Sequence, residues 1–446
     1  MGLKESERVP GVDLIVGVSE SLRKEFERET ISSFLDLDLY KLTMGQFVFR
    51  HFPHTLVGYE FINRTKAVKV ADLVPREILS VHLGKVRDIK ITDAEIDYLE
   101  RVEAGGRKLF GRDYLQFLEG LRMPPVSPGE SNGQYKIEVR GPWASAIYWE
   151  TLILSTVNEL CGRALLHRES KTGEDAKAVG RQLLSEKTRR LKGYISESEA
   201  AGFEGPYIMD FGTRRRFSGA WQEEVVRAMR DNLGNNFIGT SNVKLGMKLD
   251  MPVKGTFAHE MDMILSGIFF QEDDEAGRFV SHEHLLDMWY QEYGEPLSIA
   301  LTDTYGSDYF FEHFSSRQAK DWLGLRQDSG DPEKFAEKSI RFYVGQGIDP
   351  GDKYIVFSDG LDVDQIISLH RKFRGRIKMI FGWGTTLTND VGLATMSLVV
   401  KATEANGFGI AKLSDNVQKA VGKEEAIERV KKLAGYANTY SADCRV

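Results

Sequence analysis

The sequence predicts an α/β protein that combines an irregular β/α barrel with a smaller N-terminal α/β domain, completed by C-terminal segments. First, short β-branched segments alternate with segments of helical apolar spacing between residues 206 and 405, which indicates strands joined by helical crossovers. Second, nearly every predicted strand ends in glycine, aspartate, serine, threonine or arginine, and barrels place their active sites at that face. Third, 446 residues exceed what one ordinary core accommodates.

An open, doubly wound sheet is the alternative for this central region. Such a sheet also gathers ligands at strand ends, but mostly near one switch point, whereas the polar ends here are spread along the chain. The predicted strands occupy residues 206–213, 235–243, 251–256, 297–306, 323–331, 354–362 and 377–385.

The flanking regions are predicted to form the smaller domain and to connect it to the barrel. Their predicted elements are a helix that starts near residue 35, strands at 56–63 and 135–141, a long helix at 144–169, and a hairpin at 397–415. Asn406-Gly407 is a typical hairpin turn. We therefore predict a domain of residues 1–143 and a barrel of residues 144–395, with residues 396–446 packing back on the first domain.

Composition and charge exclude several classes of protein. Hydrophobic residues make up 41% and charged residues 28%, which is typical of a globular protein, and the apolar runs are too short to span a bilayer. A net charge of −7 argues against nucleic-acid binding, which needs surplus lysine and arginine. Two cysteines form no disulfide framework, and the first residues lack a signal-peptide core, so we expect a cytoplasmic protein without membrane or nucleic-acid partners.

The segment 211–216 is the strongest local signal for chemistry. Three consecutive arginines, beginning with Arg214, follow Phe211 and Thr213 at a predicted strand end. Guanidinium groups there can hold phosphate or carboxylate in two parallel hydrogen bonds, and the aromatic ring could stack on a flat ligand. A solvated basic turn is the alternative.

Two late strand ends carry glycines and hydroxyls that suit an anion. Ser358, Asp359 and Gly360 follow one strand, and the segment with Gly382, Gly384 and Thr385 follows the next. Glycines let backbone N–H groups turn toward an anion, and barrels often bind phosphate between their last strands. An ordinary glycine turn is the alternative for each segment alone.

Arg326, Asp328 and His259 are further candidates at strand ends. Alternation along a strand points Arg326 and Asp328 to one side, where a carboxylate could hold ribose hydroxyls or Mg²⁺; a structural ion pair is the alternative. His259 could act as a nucleophile or proton carrier, although a lone histidine is more often structural. His282 and His284 resemble a metal pair but lack further ligands nearby in the sequence.

Taken in order, these segments resemble the nicotinate phosphoribosyltransferase family. The resemblance runs from Leu35 to about Asp415 and rests on the segments 35–46, 211–218, 239–243, 255–260, 299–308, 326–332, 358–362, 381–390 and 411–415. It implies an enzyme of NAD biosynthesis that joins nicotinate to phosphoribosyl pyrophosphate, with Mg²⁺ as cofactor and ATP as co-substrate.

The resemblance also implies roles for individual residues. Phe211, with Tyr40 from the second subunit of a homodimer, should sandwich the pyridine ring, and Arg214 should contact the anionic end of the substrate. Asp328 should lie beside the ribose, with Arg326 near the phosphates. His259 is similar to the histidine that this family phosphorylates from ATP. The remaining substrate contacts implied are Thr213, Ser358, Asp359, Gly360, Gly382, Gly384 and Thr385.

The resemblance also implies that Ser241 sets the choice between the acid and the amide substrate. Nicotinamide-using relatives carry aspartate at this place, and a second carboxylate would repel nicotinate, whereas serine can donate a hydrogen bond. The alternatives are a nicotinamide phosphoribosyltransferase or, in another class, a phosphate-binding barrel isomerase or aldolase. Trp383, in the late glycine-rich segment, departs from the family pattern, which favours a smaller residue there.

Overall fold

The structure, a computed structural model, describes residue 9, residues 11–12 and residues 18–442. Its strands are β1 Leu56–Asn63, β2 Glu103–Ala104, β3 Arg107–Lys108, β4 Gly129–Ser131, β5 Gln134–Lys136, β6 Glu138–Pro142, β7 Tyr207–Asp210, β8 Phe237–Thr240, β9 Ile299–Leu301, β10 Gly324–Gln327, β11 Tyr354–Phe357, β12 Lys378–Trp383, β13 Leu398–Ala405 and β14 Phe408–Gly409. In the described part of the chain, no helix combines the length and apolarity needed to cross a membrane.

The helices lie between and around these strands. They are α1 Glu20–Phe26, α2 Leu39–His51, α3 Arg76–Asp88, α4 Asp93–Leu99, α5 Arg112–Glu119, α6 Trp143–Ala146, α7 Trp149–Arg168, α8 Gly173–Ala200, α9 Gly219–Leu233, α10 Val243–Leu249, α11 Glu260–Ile268, α12 Phe270–Ala276, α13 Val280–Tyr293, α14 Ser307–His313, α15 Ser316–Asp321, α16 Pro332–Gly345, α17 Val363–Phe373, α18 Thr385–Thr388 and α19 Glu424–Leu433. Short 3-10 turns occur at Val70–Asp72, Thr213–Arg215, Gly234–Asn236, Glu295–Leu297, Pro350–Asp352 and Val417–Lys419.

Six parallel strands form the central sheet in the order β8-β7-β12-β11-β10-β9. The first strand of this region, β7, pairs with the last, β12, along Ile380 to Trp383. This pairing brings the two ends of the β/α series together, as a barrel requires, whereas an open doubly wound sheet would separate them. The hydrogen-bonded ring is interrupted between β8 and β9, where the chain inserts α11 to α13. The predicted fold class, an irregular barrel with a smaller α/β domain, is confirmed.

The predicted strand at 251–256 contributes only one bridge, between Thr240 and Val253. Pro252 has no backbone N–H, and its carbonyl accepts from Thr240 instead. This short connection extends the β8 edge of the barrel by a single residue pair.

The second sheet has the order β14-β13-β1-β6 and is antiparallel. Strand β13, from the C-terminal region, pairs with the N-terminal strand β1 along Val57–Asn63, so the C-terminal segment completes the smaller domain. The hairpin turns at Asn406 and Gly407, which both have positive φ as the sequence predicts. The boundaries at residues 143 and 395 stay predictions.

Helix α7 connects the second sheet to the barrel and is buried along most of its length. Ser155 Oγ donates to the carbonyl oxygen of Thr213 at 2.9 Å, and Asn158 Nδ2 donates to that of Arg216 at 2.7 Å. A polar face inside an otherwise apolar interface therefore fixes the arginine turn that follows β7.

Candidate active site

A cavity of about 150 Å³ lies at the C-terminal ends of the barrel strands, with β13 along its side. Ten of the residues predicted from the sequence line it: Phe211, Arg214, His259, Arg326, Asp328, Ser358, Asp359, Gly360, Gly384 and Thr385. They come from four strand ends and one helix start, so residues that are far apart in the sequence lie together in the folded chain. This is the location expected for a barrel active site.

Four other predicted residues lie just behind the cavity wall. Thr213 is buried, and its hydroxyl accepts from the Gln222 amide at 3.2 Å. Ser241 Oγ donates to Asp38 Oδ1 at 2.6 Å. Gly382 packs against the Phe211 ring, because a Cβ there would lie 2.4 Å from a ring carbon.

Tyr40 is also behind the wall, buried within its own chain. Its ring lies 5.9 Å from the Arg214 guanidinium, and its hydroxyl donates to Glu150 at 3.4 Å. The supply of Tyr40 by a second subunit stays a prediction; what the structure shows is a contact with Arg214 of the same chain.

Five further cations line the cavity: Arg215, which belongs to the predicted arginine run, and Arg64, Lys401, Lys412 and Lys419, which the sequence did not single out. Lys412 lies in the segment 411–415, which already carried the family resemblance. Arg64, Lys401 and Lys419 had no local signal, because they reach the cavity only when the paired strands β1 and β13 and the segment after them fold against the barrel. Together with Arg214 and Arg326 they make a strongly positive cavity suited to phosphate groups.

Asp328 is held ionised beside Arg326. Arg326 Nη2 lies 3.1 Å from Asp328 Oδ1, and Ser358 Oγ donates to the same oxygen at 3.0 Å. Burial alone would raise the pKa of Asp328, but the charge of Arg326 and the hydrogen bond from His259 outweigh it and hold that pKa well below its usual range. The predicted pairing of a cation and a carboxylate on one side of β10 is present.

His259 is almost fully buried between two polar groups. Its Nε2 lies 2.9 Å from Asp328 Oδ2, and its Nδ1 lies 2.9 Å from Thr304 Oγ1. Burial and the nearby charge of Lys412 lower the pKa of His259 to about 4. The imidazole is therefore neutral near pH 7, which is the form that can act as a nucleophile.

Asp303 is a further site residue that the sequence analysis missed. Its Oδ1 lies 3.5 Å from His259 Nε2, and its Oδ2 lies 3.1 Å from Lys412 Nζ. Burial alone would raise the pKa of Asp303, but the charges of Lys412 and His259 outweigh it and lower this pKa. Asp303 follows β9 in the segment 299–308, so its strand-end position was the available signal.

Arg214 connects the aromatic side of the cavity to a buried ionic cluster. Its guanidinium lies 3.3 Å from Glu150 Oε1 and 3.9 Å from Asp38 Oδ2. Lys41 Nζ lies 2.8 Å from Glu150 Oε2 and also bonds to Glu260. The cluster holds Arg214 in the cavity that Phe211 also lines, so a ring with an anionic substituent can meet both side chains.

Comparison with known proteins adds two independent findings. The model of the nicotinate phosphoribosyltransferase (NAPRTase) family matches residues 207–437, and the model of the N-terminal domain of this family matches residues 35–158. The chain belongs to the nicotinate phosphoribosyltransferase family.

Solved structures of this family have the same fold. A nicotinate phosphoribosyltransferase from Vibrio cholerae is 31% identical, with a TM-score of 0.81 over 92% of this chain and 95% of that one. Another, from Porphyromonas gingivalis, is 30% identical, with a TM-score of 0.79 over 91% of this chain and 100% of that one. The similarity therefore covers both domains and the cavity between them.

Trp383 departs from the nicotinate phosphoribosyltransferase pattern without entering the cavity. It is fully buried, and its indole N–H donates to Thr386 Oγ1. Because side chains alternate along β12, Gly382 faces Phe211 while Trp383 points to the other side of the sheet, under Lys187 of α8. The glycines on either side of Trp383 therefore stay at the cavity, because Gly384 lines it and Gly382 packs against Phe211.

Proposed function

We propose that this chain transfers the phosphoribosyl group of phosphoribosyl pyrophosphate to nicotinate, in NAD biosynthesis, and couples the transfer to ATP hydrolysis through His259. One observation carries the proposal: Asp328 lies between Arg326 and His259 in a cation-rich cavity whose other side presents Phe211 and Arg214. That cavity supplies an aromatic surface, an ionised carboxylate and phosphate-binding cations together.

The chemistry needs alignment and charge stabilisation more than a base. The pyridine nitrogen attacks the ribose carbon that carries pyrophosphate, and the carbon–oxygen bond to pyrophosphate breaks. Stacking on Phe211 and pairing with Arg214 would orient nicotinate, while Asp328 would stabilise the positive charge that develops on the ribose. Lys401, with the other cavity cations, would neutralise the departing pyrophosphate.

The segments that follow β11 and β12 suit the binding of the ribose and its 5′-phosphate. Asp359 and Ser358 present polar atoms to the cavity, and burial raises the pKa of Asp359 although Lys419 opposes the shift. Gly360 has a φ of 58°, a backbone conformation that glycine adopts without strain. Gly384 precedes α18, and the N–H groups at the start of α18 would add to the binding of the phosphate.

Residues that would hold Mg²⁺ are present. One carboxylate oxygen each from Asp303 and Asp328 and a ring nitrogen of His259 lie within 4.8 Å of one another. Asp303 Oδ1 is buried and has no hydrogen-bond partner among the described residues. Carboxylate oxygens suit Mg²⁺, so Asp303 and Asp328 would hold it, and the ion would neutralise phosphate charge when bound.

Ser241 would act on substrate choice through Asp38. Its hydroxyl already donates to Asp38, whose pKa is raised by burial although Arg214 opposes the shift. An aspartate at position 241 would add a second carboxyl group beside Asp38 and Arg214, which disfavours an anionic ring substituent. This arrangement supports nicotinate over nicotinamide as the substrate. A homodimer with a shared active site and a cytoplasmic location also stay predictions.

The deciding experiment is a product assay with purified protein, Mg²⁺ and phosphoribosyl pyrophosphate. Nicotinate, nicotinamide and quinolinate are offered separately, each with and without ATP. Mononucleotide formed from nicotinate and increased by ATP is the expected result. Turnover of nicotinamide instead would overturn the role given to Ser241. If none of the three bases is turned over, the result would favour the alternative function, a phosphate-binding barrel isomerase or aldolase.

A variant isolates the coupling step. His259→Asn should abolish the gain from ATP and leave slow transfer, because phosphorylation would add about −1.5 to −2 charges near the pyrophosphate site, by analogy with other phosphorylated side chains. Thr403→Val, which removes a buried hydroxyl from β13 outside the cavity, is the matched control. Full ATP stimulation in His259→Asn would rule out this histidine as the coupling residue.

A further inference from the structure

One hydroxyl group joins the two segments that are proposed to bind the ribose and its 5′-phosphate. Residues 358–361 follow β11, residues 384–388 follow β12, and both segments contribute to the lining of the cavity. Thr386 Oγ1, in the second segment, donates a hydrogen bond to the carbonyl oxygen of Leu361, in the first. The space between the two segments therefore depends on the orientation of the Thr386 side chain.

Trp383 orients this hydroxyl from the side of β12 that faces away from the cavity. Its indole N–H donates to Thr386 Oγ1 at 2.5 Å. A hydroxyl group has one hydrogen, so the hydrogen of Thr386 lies toward Leu361 and a lone pair lies toward the indole. Two partners in different directions favour one staggered orientation of the Thr386 side chain. An apolar side chain without a donor at position 383 would remove one of these partners.

The indole of Trp383 in turn depends on this acceptor. Trp383 is fully buried, and a buried N–H group without an acceptor lowers the stability of the fold. Thr386 is only half-buried, and its hydroxyl is the group that satisfies the indole. Trp383 and Thr386 are therefore a matched pair, in which each side chain fixes the other.

Lys187 of α8 holds the main chain of the same threonine. Its Nζ donates to the carbonyl oxygen of Thr386 at 2.5 Å and lies 2.6 Å from Asp390 Oδ2. The same ammonium group lies 5.6 Å from the centre of the Trp383 ring, within the range of a cation–π contact. Thr386 is thus held at its side chain by Trp383 and at its main chain by Lys187.

We propose that Trp383 and Lys187 are positioning residues that hold Thr386 and so set the separation of the two segments that bind the ribose 5-phosphate part of phosphoribosyl pyrophosphate. The inference rests on the proposed function and adds to it two residues that lie outside the lining of the cavity. They act on the affinity for the sugar phosphate through Thr386 and touch no substrate.

Equilibrium binding tests this role without requiring turnover. Trp383→Phe keeps an aromatic ring and removes the N–H donor. Isothermal titration calorimetry should show that the Kd of ribose 5-phosphate rises about two- to tenfold, the range expected for the loss of one buried hydrogen bond. The Kd of inorganic pyrophosphate should stay unchanged, because its proposed contacts are the cavity cations. Equal weakening of both ligands would mean a general loss of cavity structure and would overturn the positioning role.

Two matched controls are available in the chain. Trp289 is also fully buried, and its indole N–H donates to the carbonyl oxygen of Leu297 at 3.0 Å, so Trp289→Phe makes the same change elsewhere. Lys187→Met removes the ammonium group from α8 and should also raise the Kd of ribose 5-phosphate. Lys192→Met makes the same change at an exposed position of that helix. Both control variants should bind ribose 5-phosphate with the wild-type Kd.

A double-variant cycle shows whether Trp383 acts through Thr386. Thr386→Val removes the hydroxyl and breaks the same hydrogen bond from its other partner. Adding Trp383→Phe to Thr386→Val should then raise the Kd of ribose 5-phosphate no further, because residues that act through one contact are not additive. Additive effects would overturn the proposed route through Thr386. Thr386→Val by itself still tests the hydroxyl if Trp383→Phe does not fold, and a wild-type Kd in Thr386→Val overturns the proposal.

The remaining outcomes distinguish this role from the proposed function. If the wild type forms nicotinate mononucleotide while Trp383→Phe binds ribose 5-phosphate with the wild-type Kd, the positioning role is overturned and the function stands. If the wild type binds neither ribose 5-phosphate nor phosphoribosyl pyrophosphate, the proposed function is overturned and the positioning role with it.

Discussion

Phe211 can lie flat against the wall of the cavity only because position 382 is glycine. A Cβ on Gly382 would come within 2.4 Å of one ring carbon and 3.1 Å of the carbon that joins the ring to its chain, so the whole ring would have to move. Gly382, predicted from the sequence as a substrate contact, also packs against the ring of Phe211, and its contact with substrate stays a prediction. The local sequence gives no sign of this packing, because Phe211 and Gly382 meet only when β7 and β12 pair.

Gly382→Ala should therefore weaken nicotinate binding. Displacing the ring removes a stacking contact worth about 0.5–1.5 kcal/mol, so the KM for nicotinate should rise by about two- to tenfold. Steady-state kinetics at saturating phosphoribosyl pyrophosphate measure this. Gly193→Ala, at an exposed helical position with nothing near its Cβ, is the control and should leave KM unchanged. An unaltered KM in Gly382→Ala would mean that Phe211 does not hold the pyridine ring.

Strand β13 has a larger role in the site than its place near the C-terminus suggests. It joins the sheet of the smaller domain through β1 and carries Lys401 into the cavity. Lys401 Nζ lies 3.6 Å from Glu150 Oε1. Burial lowers the pKa of Lys401 to about 8, with Arg214 adding to the shift and Glu150 opposing it.

This pKa predicts a pH dependence with a definite sign. Lys401 is charged below pH 8 and loses its charge as the pH rises through that value, so the KM for phosphoribosyl pyrophosphate should rise between pH 7 and pH 9. Lys401→Arg keeps the charge and should flatten this rise. Lys378→Arg, at the opposite end of β12, serves as the control. If Lys401→Arg and wild type have the same profile, another group causes the dependence.

At the scale of the whole molecule, a buried ion pair attaches the N-terminal segment to the barrel. Arg216 Nη1 and Nη2 lie 2.5 Å and 2.9 Å from the two carboxylate oxygens of Asp36, and both residues are nearly inaccessible to solvent. Arg216 completes the arginine run after β7, yet only Arg214 and Arg215 line the cavity. Arg216, the third arginine, therefore links the N-terminal segment to the barrel through its ion pair with Asp36.

Removing one partner of this pair should be costly. Asp36→Leu leaves an unpaired buried cation and should lower the free energy of unfolding by about 3–5 kcal/mol. The double variant Asp36→Leu/Arg216→Met removes both charges and should recover most of that loss. Urea unfolding followed by circular dichroism measures all three proteins. If the double variant is as unstable as the single variant, the loss of the two parallel hydrogen bonds, rather than the unpaired charge, causes the lower free energy of unfolding.

The sequence by itself determined the fold class, the family and most of the strand-end residues. Strand–helix alternation and strand-end polarity are local properties, and parallel strands bring their ends to one face whatever the details of packing. His259, Arg326 and Asp328 could be selected for this reason, because each follows or ends a predicted strand. The ordered set of segments then identified the family.

Only the tertiary structure decided which neighbours those residues have. The cations from β13 and beyond, the Asp303 carboxylate and the contact of Lys187 with Thr386 depend on segments that are distant in sequence and meet only in the folded chain. The sequence alone does not distinguish the three arginines after β7. In the folded chain, Arg216 is buried beside Asp36, whereas Arg214 and Arg215 line the cavity. Side-chain direction and long-range packing set these differences, and neither is encoded in local periodicity.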